Sequence, residues 1–592
     1  MKLTRVSLVG AIIAAGALVL TGCAAGGGSE IQEGTTLTAV ENSPFTSANG
    51  NTADGNSTYN NNINYMTSSG FNYYDNTPKL VKNTKFGTYT VVSKSPLTIK
   101  YTIADGVKWS DGTPVDAADM MLDWAANISK YNDPKGDVNF TSAAAGGGLD
   151  LVTAVPKISD NNKSVTIVYS KDFVDWETAF GVGMPAHIVY EEAFPKVTDA
   201  SKAKTALIKA IQDNDTATLK KLAKVWGSGF DMTSTPSDKK LLVSNGPYTI
   251  SKLVKDQYIT LKANKDYNWG PLPKLSQITV RFIQDPTAQV QALQNGEVSV
   301  ISGQADADTV AAIKASTGIS STTTPTATYE HIDLTFNNGG PFDPATYGGD
   351  AKKALLVRQA FMKTLPRQDI VDKLIKPIQS DAKLDDSQTI LPGAAGYTED
   401  VANNGSADYA KVDIAGAKAL LAQAGVTGPV NVKFMYGKSN TRRASEFALI
   451  QASADQAGFN VIDAGDDTWS SKLGDGTYDA VLFAWQFTSL AVTGTQGQLQ
   501  TGGGSNFNGY SNKDVDDAFT QLTGEYDASK QQALLAQIDK DLWSDAYGVT
   551  IFQFPEVTAW SNKVKNVSDN PLSPSVFWNF FDWTSTTKTS TK

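Results

Sequence analysis

A single cysteine, Cys23, serves a chain of 592 residues. No internal disulfide can form, and no paired-cysteine metal site exists. The fold must therefore be held by apolar burial. Beyond roughly 250–300 residues a single core stops growing, so two or three domains are expected. Hydrophobic residues at 41% and charged residues at 19% suit a largely globular body. The net charge is −10. Such an acidic chain is a poor binder of phosphate backbones, so no nucleic-acid partner is expected. It also lacks the polybasic patch that draws proteins to anionic lipid.

The cysteine ends an apolar leader. Lys2 and Arg5 precede the run 6–20, which is too short for a membrane span. Leu20-Thr21-Gly22-Cys23 follows. This resembles the lipobox of bacterial lipoproteins, in which the cysteine is acylated and becomes the mature N-terminus. The resemblance implies export and tethering to a membrane face through Cys23. Residues 24–29, AAGGGS, read as a flexible spacer. No later apolar run approaches a span, so the membrane is reached only at the N-terminus.

Catalytic signatures are sparse. The two histidines, His187 and His331, lie far apart, and there is no HExxH and no GxSxG. Gly437-Lys438-Ser439 has the ending of a phosphate loop, but its first glycine would fall at Val432. No cofactor or metal is expected. A glycosidase carboxylate pair is defined by spatial separation, which spacing along a chain does not settle.

The stretch 41–76 is rich in Asn, Gly and Thr yet carries Phe45, Tyr59, Tyr65, Phe71, Tyr73 and Tyr74. It reads as an ordered loop region near a ligand, or as a surface loop anchored by its aromatics. Strands are expected at 89–93, 97–103, 258–261, 278–283, 330–336, 430–436, 461–463 and 480–485. Helices are expected from Asp116 or Ala117 to Trp124, across 204–226 and 287–294, and over 358–374, 414–424 and 443–457. Gly425 and Gly458 would close the last two. The Ser/Thr-rich stretch 316–328 reads as a connection. The β/α alternation argues for α/β lobes.

Five blocks carry a family resemblance. They are Tyr101-Thr-Ile-Ala-Asp-Gly-Val-Lys-Trp-Ser-Asp-Gly-Thr-Pro-Val-Asp-Ala-Ala-Asp119; Ser244-Asn-Gly-Pro-Tyr248 with Asn264-Lys-Asp-Tyr267; Gln294-Asn-Gly-Glu-Val298; Val357-Arg-Gln-Ala-Phe361 with Arg367-Gln-Asp-Ile-Val371; and Ala417-Lys-Ala-Leu-Leu-Ala-Gln-Ala-Gly425. Together they resemble the family 5 extracellular solute-binding proteins, the oligopeptide and dipeptide receptors of ABC importers. The likeness covers roughly residues 85 to 585. Most of these residues are scaffold: Gly112, Gly246 and Gly296 read as turn glycines, and Arg358 as a helix anchor.

The resemblance implies a two-lobed periplasmic-binding-protein-like α/β fold with an additional domain in the first lobe. The expected division is a leader at 1–22 and the lipidated cysteine with its tether at 23–34. Domain I would combine 35–72, 186–302 and 556–592. Domain II would be 73–185 and domain III 303–555. Crossings between lobes are expected near Ser302 and near Pro555. The implied protein is a monomeric, non-enzymatic receptor serving ABC permease subunits.

The segment Phe483-Ala484-Trp485-Gln486-Phe487-Thr488 resembles the family segment that lines the peptide site. Ala484, Trp485, Gln486 and Thr488 are therefore candidate ligand residues. Asn506 and Phe507 come from a loop that resembles one facing the cleft, and Glu41 and Asn42 are candidates from the opposite lobe. Peptide receptors of the family often carry an acid a few places after the tryptophan, where it pairs with the peptide amine. No carboxylate lies between Asp479 and Asp514 here. Either another acid, such as Glu41, supplies the charge, or the ligand lacks a cation there. Oligosaccharides remain an alternative ligand class, and an extracellular hydrolase an alternative function.

Overall fold

The computed structural model describes residues 30–303 and 305–586. The leader, Cys23 and the spacer 24–29 lie outside the described residues. No helix of the described residues is long and apolar enough to cross a membrane.

A 10-stranded sheet runs through both lobes. Its order is Phe459–Asp463, Val430–Tyr436, Ala480–Gln486, Ile319–Leu334, Gly548–Ser561, Val300–Gly303, Gln32–Glu41, Leu275–Phe282, Tyr258–Ala263 and Tyr248–Val254. At one end, Val430–Tyr436 is parallel to both neighbours, as a βαβ crossover through the helix Thr441–Asp455 requires. Val430, Val432 and Phe434 point inward while Asn431 and Lys433 point out. Gly425 and Gly458 follow their helices with φ of 72° and 97°, which a residue with Cβ adopts only under strain.

A separate four-stranded sheet carries the first signature block. Leu97–Ile103 alternates buried and half-buried residues along its length. The helix Ala117–Asn127 begins with a reciprocal cap between Asp116 and Asp119. Asp119 also accepts from Lys204 Nζ at 2.8 Å and from the Ala186 N–H at 2.9 Å. These bonds draw the helices Ala186–Ala193, Ala200–Gln212 and Thr216–Ser228 onto the small sheet, with which they share one apolar core. The packing boundary therefore falls well after 185.

The lobes are joined by two long strands. Ile319–Leu334 and Gly548–Ser561 pair antiparallel, and their register slips between Pro325 and Tyr329. Residues before the slip pair beside Val300–Gly303; those after it pair beside Ala480–Gln486. The chain thus crosses at 325–329 and at 553–555, and not near Ser302. The intervening helix Ala307–Ala315 packs with Val290, Ile301 and Val557 on the first-lobe side.

The expected connection at 316–328 is mostly strand. Threonine is β-branched and suits an extended ribbon, but with one edge in solvent the stretch has no apolar alternation to betray it. The expected helix at 358–374 is broken. Ala351–Met362 ends before Pro366, which cannot supply an N–H to a continuing helix, and Arg367–Ile370 and a wide turn, Val371–Ile375, follow. The helix Thr58–Thr67 was not foreseen, since asparagines are weak helix formers. Its cap is Ser57, and Asn60 Oδ1 accepts from the Thr46 N–H at 2.9 Å.

Candidate functional site

A cavity of about 1780 Å³ lies between the lobes and under the small-sheet unit. Three elements build its core. The strand Ala480–Gln486 is buried through Phe483 and becomes half-buried from Ala484 onward. Its parallel neighbour pairs only as far as Leu482, whereas the hinge strand continues beside it to Gln486. Among the described residues, one edge of the strand is therefore without a strand partner over residues 483–486. The Phe487 N–H donates to Ala327 O at 3.1 Å on the hinge side. Alternation then directs the N–H and C=O of Ala484 and Gln486 to the open edge.

Trp485 is held by aromatic neighbours. Phe507 lies nearly parallel at 6.1 Å between centroids, His331 nearly parallel at 6.4 Å, and Phe483 edge-on at 5.2 Å. Its indole thus forms part of an aromatic wall with Phe507, and is not a lone flat plate.

On the opposite side, Glu41 ends the first strand of the sheet. Asn62 Nδ2 donates to its Oε1 at 2.6 Å. Glu556, in the hinge, accepts from Ser302 Oγ at 2.5 Å and from Ser575 Oγ at 3.1 Å. Gln486 Nε2 donates to Ser575 Oγ at 2.8 Å, so a hydrogen-bonded chain runs from the second lobe to the hinge. Burial pushes Glu41 up to about 7, against the bonds from Asn62 and the Asn42 backbone. Burial likewise pushes Glu556 up to about 7, with Asp569 and Glu41 adding repulsion. Asp123, half-buried on the helix Ala117–Asn127, rises to about 6, chiefly through loss of solvation.

One cation, Arg443, lines the cavity among the described residues. It is already engaged. Its Nε donates to Glu330 Oε1 at 2.7 Å, and its guanidinium sits 5.4 Å from the centre of the Trp469 ring. Among the described residues there is no cluster of three His, Cys, Asp or Glu that could hold a metal.

The structure brings Glu41, Asn42, Ala484, Trp485, Gln486, Thr488 and Phe507 to the cavity wall. Asn506 does not line it. Its Nδ2 donates to Gln500 O and Tyr510 O, and its Oδ1 accepts from the Tyr510 N–H. Its donors and acceptor are consumed in shaping the loop, so the expectation of a ligand contact there is corrected. Within the region 41–76, Tyr59, Tyr65, Phe71, Tyr73 and Tyr74 line the cavity, while Phe45 belongs to the core. Sequence reasoning missed Glu556, Asp123, Arg443 and Trp469. Glu556 had a signal: it is the one charge in the strand Gly548–Ser561, and a lone carboxylate in an apolar strand is costly without a purpose.

The family model for bacterial extracellular solute-binding proteins, family 5, matches residues 77–507. An uncharacterized lipoprotein of Mycobacterium tuberculosis is 27% identical over 531 residues, covering 87% of each chain. The oligopeptide-binding protein OppA of Mycobacterium bovis is 24% identical over 502 residues, covering 82% of this chain and 74% of its own. Among solved structures, the periplasmic EDTA-binding protein EppA superposes with a TM-score of 0.74 at 20% identity, covering 94% of this chain and 97% of its own. The family match spans most of the chain and agrees with the two-lobed α/β architecture. The chain belongs to the family 5 bacterial extracellular solute-binding proteins.

Proposed function

We propose that this protein is the lipid-anchored, extracytoplasmic receptor of an ABC importer, and that it captures oligopeptides between its lobes for delivery to a membrane permease. The observation that carries the peptide reading is the open strand edge at 483–486. An extended peptide can add to such an edge as a further strand, gaining affinity through its backbone while side chains rest in the surrounding cavity. The space is large enough for several residues. The relative named as an oligopeptide-binding protein supports the same ligand class. EDTA, which the structural neighbour's name reports, is a polyanion and suits this acidic cavity poorly. Anchoring rests on the leader and Cys23, and on the relative named as a lipoprotein.

The protein acts by binding and closing. A ligand touching both lobes favours the closed state by its contacts there. The direct test is mass spectrometry of ligand co-purified with the full chain. A peptide ladder is the expected result; hexose oligomers would overturn the ligand class and leave the receptor role standing.

A further inference from the structure

The strand register places two carboxylates together on the cavity floor. Ala39 pairs with Val300 in parallel, so Glu41 falls beside Ser302 on the same face. Ser302 pairs with Thr558, so Glu556, two residues before Thr558, shares that face. Thr558 Oγ1 and Ser302 Oγ lie 2.7 Å apart. Glu41 is 8% exposed and Glu556 is 9% exposed, and both line the cavity. Their hydrogen-bond donors are the neutral side chains of Asn62, Ser302 and Ser575 and the Asn42 N–H. No lysine, arginine or histidine forms an ion pair with either among the described residues. Buried charges in proteins are paired as a rule. Glu41 and Glu556 depart from that rule among the described residues.

The rest of the cavity repeats the imbalance. Asp54, Asp123 and Asp231 also line the first-lobe side, and the single lining guanidinium is committed to Glu330. From the second lobe no acid follows Trp485 before Asp514. Asp467, on the second-lobe wall, is solvent-exposed and accepts from the Ser439 N–H and hydroxyl, so the buried counter-charge for a cationic ligand group lies at the hinge.

We infer that Glu41 and Glu556 together form the recognition site for a primary ammonium group of the ligand. This rests on the receptor reading above and narrows its substrate class. The site lies at the junction of the first strand and the hinge strand. Glu556 is linked through Ser575 to Gln486 on the second-lobe wall, so a cation seated there bears on both lobes at once. The neutral donors leave the oxygens free to turn to a cation without breaking an existing ion pair. A buried ammonium facing two carboxylates would form charge-assisted hydrogen bonds with both and favour their ionised forms.

The test uses the purified full chain and amine-bearing probes mixed with their own acetylated copies. One set is a tryptic casein digest with an equal amount of the same digest acetylated at every amine. The other is glucosamine oligomers with their N-acetylated counterparts. Bound material is released and read by mass spectrometry. The expected result is at least tenfold retention of the amine-bearing member over its acetylated copy, in whichever chemical class binds. Glu41→Gln with Glu556→Gln should abolish that preference while acetylated probe is still retained. Glutamine can accept the same donors, and a thermal melt of each single variant verifies folding. Equal retention of amine and acetylated probes, or retention of neither, overturns the cation site. Retained peptides without amine preference would do so while sparing the peptide reading. Retention of sugars alone, with amine preference, would keep the cation site and remove the peptide reading.

Discussion

Asp175 reaches from the small-sheet unit to Thr493 of the second lobe. Its carboxylate accepts from the Thr493 N–H at 2.8 Å and hydroxyl at 2.7 Å, and from the Val492 N–H at 2.8 Å. Nearby, the Val174 N–H donates to Thr523 O at 2.8 Å and the Tyr526 hydroxyl donates to Phe173 O at 3.2 Å. These bonds join two bodies with separate apolar cores at the cavity wall, which Asp175 and Thr493 both line. They clasp the two bodies together.

Asp175→Ala should open that clasp. Hydrogen bonds to a charged acceptor contribute about 1.5–3 kcal/mol each in net terms, and part of that loss falls on the closed state alone. Ligand affinity should drop roughly 10- to 30-fold, for a loss of about 1.4–2 kcal/mol. Small-angle scattering should show a larger radius of gyration with ligand present than the parent protein gives. An unchanged affinity and profile would show that closure does not depend on the clasp.

Trp485→Ala removes the centre of the aromatic wall. Interface aromatics of this kind cost about 2 kcal/mol or more when truncated. Calorimetry with the co-purified ligand should register that loss, while circular dichroism shows the same folded fraction. Equal affinity would take Trp485 out of the site.

Asn506→Ala should do the reverse. Its amide makes three hydrogen bonds within the loop 500–510. Stability should fall by about 1–3 kcal/mol, with little change in affinity beyond that loss of folded protein. A denaturant titration paired with calorimetry separates the two.

The pH dependence of stability has an unusual sign. Glu41 and Glu556 are raised from 4.5 to about 7, and Asp385 from 3.8 to about 7, in each case chiefly by burial. Between about pH 4.5 and 7 the folded chain holds protons that the unfolded chain has released. Their contribution is therefore fullest below the unfolded values and is lost as pH rises through 7. Asp466 runs the other way, lowered to about 2 by Lys472, but its stabilisation is lost only below 3.8. The ligand-free protein should melt several degrees higher at pH 5.5 than at pH 8. Glu556→Gln should flatten that slope. A melting point that climbs steadily to pH 8 would contradict the assignment.

Cys23→Ala addresses the anchor. Metabolic labelling with a fatty-acid analogue should mark the parent protein and leave the variant unlabelled. One acyl chain binds membranes only marginally, so a diacylglyceryl-type modification would give the firmer hold. Ligand affinity should be the same in both, because the tether precedes the first strand of the sheet.

Sequence reasoning reached the family, the βαβ end of the sheet and the cavity-lining segment 484–488, because each is written locally. Turn glycines such as Gly425 and Gly458, apolar alternation such as Val430–Phe434, and a tryptophan in a known neighbourhood are short-range signals. The hinge was less legible. Its threonines carry β-propensity but no apolar pattern, since one edge meets solvent, and the slip between Pro325 and Tyr329 exists only against the partner strand.

By itself the sequence determined that this is an α/β chain of a solute-binding family with no internal disulfide. Tertiary structure alone decided what fills the cavity floor. Glu41 and Glu556 stand at opposite ends of the chain, and only the parallel pairing of Ala39 with Val300 and the antiparallel pairing of Ser302 with Thr558 brings them to one face. The same holds for Asn506, whose side chain is satisfied by its own loop. Which polar group is spent on the fold and which is left for a ligand depends on its partners in space, and spacing along the chain does not encode them.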